Sequence, residues 1–149
     1  MNALFLNTPE LLAAWFPKAE KHFQPVIDQA ARGEFEVRDI RRLCEENRAL
    51  TVVVLDGDEV VLAMAFEFIF YPRMTACNFM ALGGNRLKEA EERFFVTFKS
   101  WCYNMGVTVI EASCSSAMAR LLKGYGFEKT YEVVRHEIRL PREPRPTEL

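Results

Sequence analysis

The stretch TACNFMALGGNRLKEAEERF, residues 75–94, places Gly83 and Gly84 where an apolar run stops and a charged, helix-like pattern begins. The first N–H groups of a helix lack intrahelical acceptors and carry the positive end of its dipole, so such a junction attracts an anion. Glycines let a diphosphate come up to the backbone, and Arg86 would add a charge. The competing explanation is an ordinary tight turn, since short glycine motifs are common. A second group with chemical capacity is Glu67, set between Phe66 and Phe68 in an apolar run. Partial burial there would raise its pKa. A solvent-facing strand acid or half of an ion pair is the plainer alternative. Metal chemistry has little support: Cys44, Cys77, Cys102 and Cys114 share no ligand spacing, and His22 and His136 are the two histidines. The four thiols read as buried and reduced, with cysteine acting as a small hydrophobe.

The elements that must position these groups are set by pattern. Thr8-Pro9-Glu10 has the form of a helix start, and Leu11, Leu12 and Trp15 continue at helical spacing. Pro17 and Pro25 divide this region into two short helical pieces over 9–31, ended by Gly33. Another helix fits 37–47, with Val37, Ile40, Leu43 and Cys44 on one face and its arginines off it, a solvated face rather than a binding patch. Three strands come next at 50–55, 60–70 and 74–82, rich in Val, Phe, Ile and Met, with turns at Asp56-Gly57-Asp58 and Tyr71-Pro72-Arg73. Leu87, Ala90, Phe94, Phe98, Trp101, Cys102 and Met105 then recur every three or four residues, predicting one long helix closed by Gly106. A strand over 107–113, a helix in SSAMARLLKGYG and a last strand over 129–140 complete the order.

A meander succeeded by helix, strand, helix and strand points to an α/β fold, of α+β type, with a mixed, mostly antiparallel sheet and helices on both faces. At 149 residues, 50% of them hydrophobic, the chain suits one domain over 1–140, with N-terminal helices in 1–48, a sheet core in 50–140 and a flexible proline-rich tail at 141–149. A net charge of -2 gives no global footprint for a nucleic-acid partner. The apolar runs are broken by Asp56, Asp58, Glu59 and Glu67, too short for a membrane span, and no basic region precedes an apolar one at the N-terminus. The expected setting is cytoplasmic, without a membrane partner.

The meander, glycine turn, amphipathic helix and strand, and after them ARLLKGYGFEKTYEV, resemble the GNAT superfamily of acyl-CoA-dependent N-acetyltransferases, with Gly126-Phe127 matching the Gly-Phe before the superfamily's final strands. More narrowly, FEVRDIRRLCEEN, YPRMTACNFMALGGNRL and RLLKGYGFEK are similar to small GNAT-like proteins of tailed bacteriophages and prophages. The resemblance implies acetyl-CoA as co-substrate, an unknown amine as acceptor and no metal. The cofactor would lie in a V-shaped splay between parallel strands ending at Leu82 and Ser113. Pantetheine would pair with backbone at Met80, Ala81 and Leu82, and the pyrophosphate would sit on amides from Gly83 and Gly84 through Asn85 to Arg86. In that setting Gly84→Val is expected to abolish cofactor binding and leave the fold nearly intact.

Amine acylation needs a base for the ammonium proton. The resemblance makes Glu111, near the end of its strand, the first choice, and Glu67 the second. The superfamily's tyrosine acid position holds Leu122, leaving Tyr125 as the available phenol, and Ser115 stands for a usual asparagine beside the cofactor. The glycine spacing also departs from the superfamily's cradle. These departures keep a second function open: a GNAT-like phage virion or assembly protein acting through a phage or host protein partner.

Overall fold

The structure, a computed structural model, describes residues 1–140; the tail expected over 141–149 lies outside the described residues. In chain order the elements are β1 (Asn2–Phe5), α1 (Pro9–Ala30), α2 (Val37–Glu45), β2 (Leu50–Asp56), β3 (Glu59–Phe70), β4 (Thr75–Gly84), α3 (Leu87–Asn104), β5 (Val109–Ala112) and α4 (Ser116–Lys123). The strands form one sheet in the order β1-β2-β3-β4-β5. Neighbours run antiparallel except β4 and β5, which are parallel as the strand-helix-strand pattern requires.

The expected pair of helical pieces is one helix of 22 residues, with Pro17 and Pro25 inside it. Each proline removes one i→i−4 hydrogen bond. Both lie on the exposed side, where water reaches the freed carbonyls, while Leu12, Phe16, Ala19, Phe23 and Ile27 recur every three or four residues and are buried. Burial of that stripe outweighs the local break. The cap is as read: Thr8 accepts from the Leu11 N–H at 3.1 Å. β1 was not expected; at four residues, with no turn signal beside it, it forms by pairing along β2.

The sheet carries helices on both faces. On one, α1 and α2 close over Val53, Ala63, Ala65 and Ala81. On the other, α3 lays Phe98, Trp101 and Cys102 against Phe66 and Cys77, with Phe66 meeting the rings of Phe98 and Trp101 edge-on at 5.4 and 5.7 Å. Large aromatics hold α3 away from the sheet and leave an apolar cavity of about 240 Å³ beneath it.

The last expected strand does not form. The 128–140 backbone joins no ladder, and all of these residues are exposed. Alternation makes a segment ready to pair, but a ladder also needs a partner edge. Here Arg135 instead donates to the Arg32 carbonyl at 2.8 Å and to Glu34 at 2.6 Å, beside the α1–α2 connection.

Candidate active site

β4 and β5 are paired only from Ala76↔Val109 to Phe79↔Ala112. β5 then ends, whereas β4 continues to Gly84 along β3 alone. The β5-facing backbone of Met80, Ala81 and Leu82 therefore borders the expected splay. A bulge marks its start: Phe66 pairs with Phe79 and Ala65 with Ala81, so Met80 is the extra residue. Bulges of this kind bend a strand and re-aim its backbone. Phe79 faces α3, while Met80 and Ala81 both join the core under α1.

The splay leads into the N-terminus of α3. Arg86 caps it at φ 62 with no side-chain cap bond, so the amides of the first turn have no intrahelical acceptor. The cradle is smaller than expected, because the Asn85 N–H already donates to the Val61 carbonyl at 2.7 Å. The Arg86 side chain is also engaged, paired with Asp56 at 2.5 Å and Glu89 at 2.7 Å. Those two carboxylates hold the guanidinium pKa above its ordinary value. Each pair is partly solvated and weak alone. Asp56→Asn is accordingly expected to free part of this charge and strengthen binding of a diphosphate several-fold, as read by titration with inorganic pyrophosphate; unchanged binding would place the anion elsewhere.

Both glycines have a packing role that the sequence did not show. A Cβ on Gly83 would lie inside the His22 carbonyl oxygen of α1 and 2.8 Å from Val26 Cγ2. At Gly84, with φ +122, it would meet the Val61 carbonyl oxygen and Leu62 Cα of β3. The expectation that Gly84→Val leaves the fold nearly intact is therefore overturned: the clash is with backbone, in a conformation that β-branched residues avoid. His22 ties the same crossing, its Nε2 2.7 Å from the Val60 carbonyl oxygen.

The two acids proposed as bases come together in an arrangement that sequence could not give. Glu67 pairs with Asn78, and Asn78 with Glu111, so the three lie in one row across β3, β4 and β5. Their neighbours Phe66, Cys77 and Ile110 face α3, so the row belongs to the α1–α2 face. Burial raises the Glu67 pKa, only partly offset by the Arg48 charge and a hydrogen bond from Asn78. The Tyr71 hydroxyl, from the β3–β4 turn, donates to Glu111 Oε1 at 2.6 Å, and that bond is the main cause raising the phenol's pKa. Asn78 and Tyr71 were missed. Asn78 offered a signal as a polar residue within ACNFMAL, whereas Tyr71 looked like a turn residue.

The raised Glu67 pKa has a stability consequence with a definite sign. The folded state favours the protonated acid, so stability falls as pH rises through the unfolded and then the folded pKa. The cost is absent below the ordinary carboxylate range and complete above the folded pKa. Glu67→Gln is expected to melt higher than the parent at pH 7, with the gap closing toward pH 4; a gap that widens toward acid would reverse the assignment.

The remaining candidates lie elsewhere. Ser115 caps α4, accepting from the Met118 N–H at 3.2 Å, so its hydroxyl serves the helix. Tyr125 lines the apolar cavity with Leu122 and Phe127, across the sheet from the acid row. Cys44, Cys77 and Cys102 are buried, but Cys114, just past β5, is exposed. His136 is exposed as well.

This architecture is the GNAT-like fold: a mostly antiparallel sheet with a bulged β4 that parts from a parallel β5 and enters α3 through glycines. No protein-family model and no curated protein sequence matches the chain. Solved structures do. A probable acetyltransferase superposes with TM-score 0.67 at 12% identity, over 96% of this chain and 100% of its own. An aminoglycoside acetyltransferase from an uncultured soil metagenomic sample, in complex with sisomicin, gives 0.67 at 10% identity, over 93% and 96%. A predicted acetyltransferase from Clostridium acetobutylicum, with acetyl-CoA, gives 0.61 at 11% identity, over 91% and 95%. At such identities the likeness establishes the fold. No helix among the described residues is long and apolar enough to cross a membrane.

Proposed function

We propose that this chain is an acyl-CoA-dependent N-acetyltransferase that uses acetyl-CoA to acylate an amine. The observation that carries this is the splay itself: β4 backbone left without a ladder on its β5 side beyond Phe79, bulged at Met80, and running into a helix N-terminus with no side-chain cap. The edge at Met80, Ala81 and Leu82 fits a pantetheine's amides, and the first turn of α3, with Arg86 at its start, fits the diphosphate. Structural neighbours solved with acetyl-CoA and with an aminoglycoside support this assignment.

When bound, the thioester supplies the electrophilic carbonyl. The chain supplies recognition and proton removal on the α1–α2 face. Glu111, its carboxyl oriented by the Tyr71 hydroxyl, receives the acceptor's ammonium group. Glu67, whose half-buried carboxyl has a raised pKa, takes the proton that the amine must lose before attack. Asn78 lies between them in the row, opposite Glu67 on β3 and Glu111 on β5. The order of the two acids is thus reversed from the sequence expectation, because burial acts on Glu67. Loss of Glu111, as in Glu111→Gln, is expected to raise the acceptor KM with a smaller change in kcat.

One observation favours a second function. The arginine at the cradle is held by Asp56 and Glu89, which lowers its availability to a phosphate. A phage- or prophage-encoded chain of this kind would then work as a catalytically degenerate virion or assembly protein through protein association. Thiol release from acetyl-CoA, assayed with aminoglycosides, peptide N-termini and simple diamines, separates the two. Turnover with any acceptor supports the transferase, and acetyl-CoA binding without turnover across the panel supports association.

A further inference from the structure

The cavity of about 240 Å³ beneath α3 lies apart from both the acid row and the glycine junction. Aliphatic and aromatic side chains from β1, β2, β3 and β4 wall it on the sheet side, and α3 with Leu122, Tyr125 and Phe127 walls it on the other. Protein interiors normally close such space. Here Phe79, Leu82, Phe94 and Phe95 are only half-buried, so the chain's own packing leaves apolar surface open within the fold. Glu91 is the one charged side chain on this wall among the described residues. The surroundings therefore suit an apolar group and disfavour a carboxylate. A dry apolar cavity of about 150 Å³ takes up benzene, so this one has room for a chain of roughly eight carbons.

The cavity is continuous with the splay. Phe79 is the last β4 residue laddered to β5, Leu82 lies beyond the bulge, and both belong to the cavity wall. The Phe79 ring stands 6.0 Å from that of Phe98 and 6.2 Å from that of Phe127, centroid to centroid. A pantetheine paired along Met80–Leu82, with its diphosphate at the first turn of α3, has its thiol end toward Phe79. Given the splay as the CoA site, on which this rests, we propose that the cavity is an acyl-chain pocket, and that the protein binds a medium-chain acyl-CoA more tightly than acetyl-CoA. An acetyl group ends near Phe79 and leaves the pocket unfilled, whereas a longer chain covers its half-buried aromatic wall. The acid row lies on the opposite face of the sheet, so a chain lodged under α3 leaves the acceptor side clear.

The test is calorimetric titration of the full chain with acetyl-CoA, octanoyl-CoA and free octanoate. Each buried methylene favours binding by about fourfold, so octanoyl-CoA should bind at least tenfold more tightly than acetyl-CoA even with the chain partly buried. Two substitutions fill the cavity from opposite walls: Met64→Trp, at a half-buried position of β3 opposite Leu82, and Thr97→Trp, at an exposed position of α3. Either should remove the advantage of octanoyl-CoA and leave acetyl-CoA binding unchanged, with the melting temperature showing that the variant is folded. Where Met64→Trp does not fold, Thr97→Trp carries the same comparison. Acetyl-CoA binding with less than a tenfold gain for octanoyl-CoA overturns the pocket and keeps the splay as the CoA site, whereas no binding of either thioester removes both. A gain that survives both substitutions overturns the pocket by placing the chain elsewhere. Octanoate that binds as tightly as octanoyl-CoA and displaces it also overturns the proposal, by making the cavity a fatty-acid site.

Discussion

Glu67→Gln is expected to lower the acetylation rate by about a hundredfold or more, as loss of a general base typically does. Glutamine keeps the size of the side chain but cannot accept the proton. The motivation is the environment of this acid: it sits on the sheet face that α1 and α2 approach, in register with Glu111, and burial raises its pKa. A base with a pKa nearer the working pH takes up a proton more readily. The same substitution removes a half-buried charge, so it should not destabilise the chain at neutral pH. Rate and melting temperature therefore separate the base from a structural acid. An unchanged kcat with an altered melting temperature would leave Glu67 a part of the sheet, and a large kcat loss in Glu111→Gln instead would transfer the role across Asn78.

The second large effect is structural. Gly83→Ala is expected to destabilise the chain by about 3 kcal/mol, the upper part of the usual range for overpacking, because the new carbon meets the His22 backbone carbonyl of α1, which cannot swing away, as well as the Val26 side chain. For a chain of this size that is roughly a 10 °C fall in melting temperature. Gly83→Val should exceed it. If Gly83→Ala melts with the parent, α1 does not cross β4 as closely as the structure has it. Any cofactor effect of these glycine variants must be measured at a temperature where the variant is folded, since loss of α1 docking would mimic loss of the cradle.

These two predictions also mark where sequence and structure part. The long helix was legible because its apolar stripe from Leu87 to Met105 is decided by local spacing, and the β2–β3 hairpin because Gly57, at φ +63, supplies the conformation its tight turn needs. The parallel relation of β4 and β5 came from connectivity. What depended on distant partners was not legible. Pro17 and Pro25 speak locally against one helix, and only the sheet beneath makes it favourable. β1 exists because β2 offers an edge. The 129–140 segment has a strand's alternation without a strand's partner. Gly83 and Gly84 look like a cradle from their place before a helix, but the close approach of α1 and β3 appears only in three dimensions. The acid row could not be counted from the sequence either, because the bulge at Met80 shifts the β3–β4 register and Tyr71 reaches Glu111 across 40 positions of sequence.

The central claim is that the β4–β5 splay and the first turn of α3 hold acyl-CoA. Calorimetric titration of acetyl-CoA into the full chain tests it most directly, before any acceptor is known. The predicted result is saturable binding, one cofactor per chain, with a gain in stability of about 2.7 kcal/mol when acetyl-CoA is at a hundred times its dissociation constant. Absence of heat, together with an unchanged melting temperature up to the solubility limit of acetyl-CoA, would contradict it.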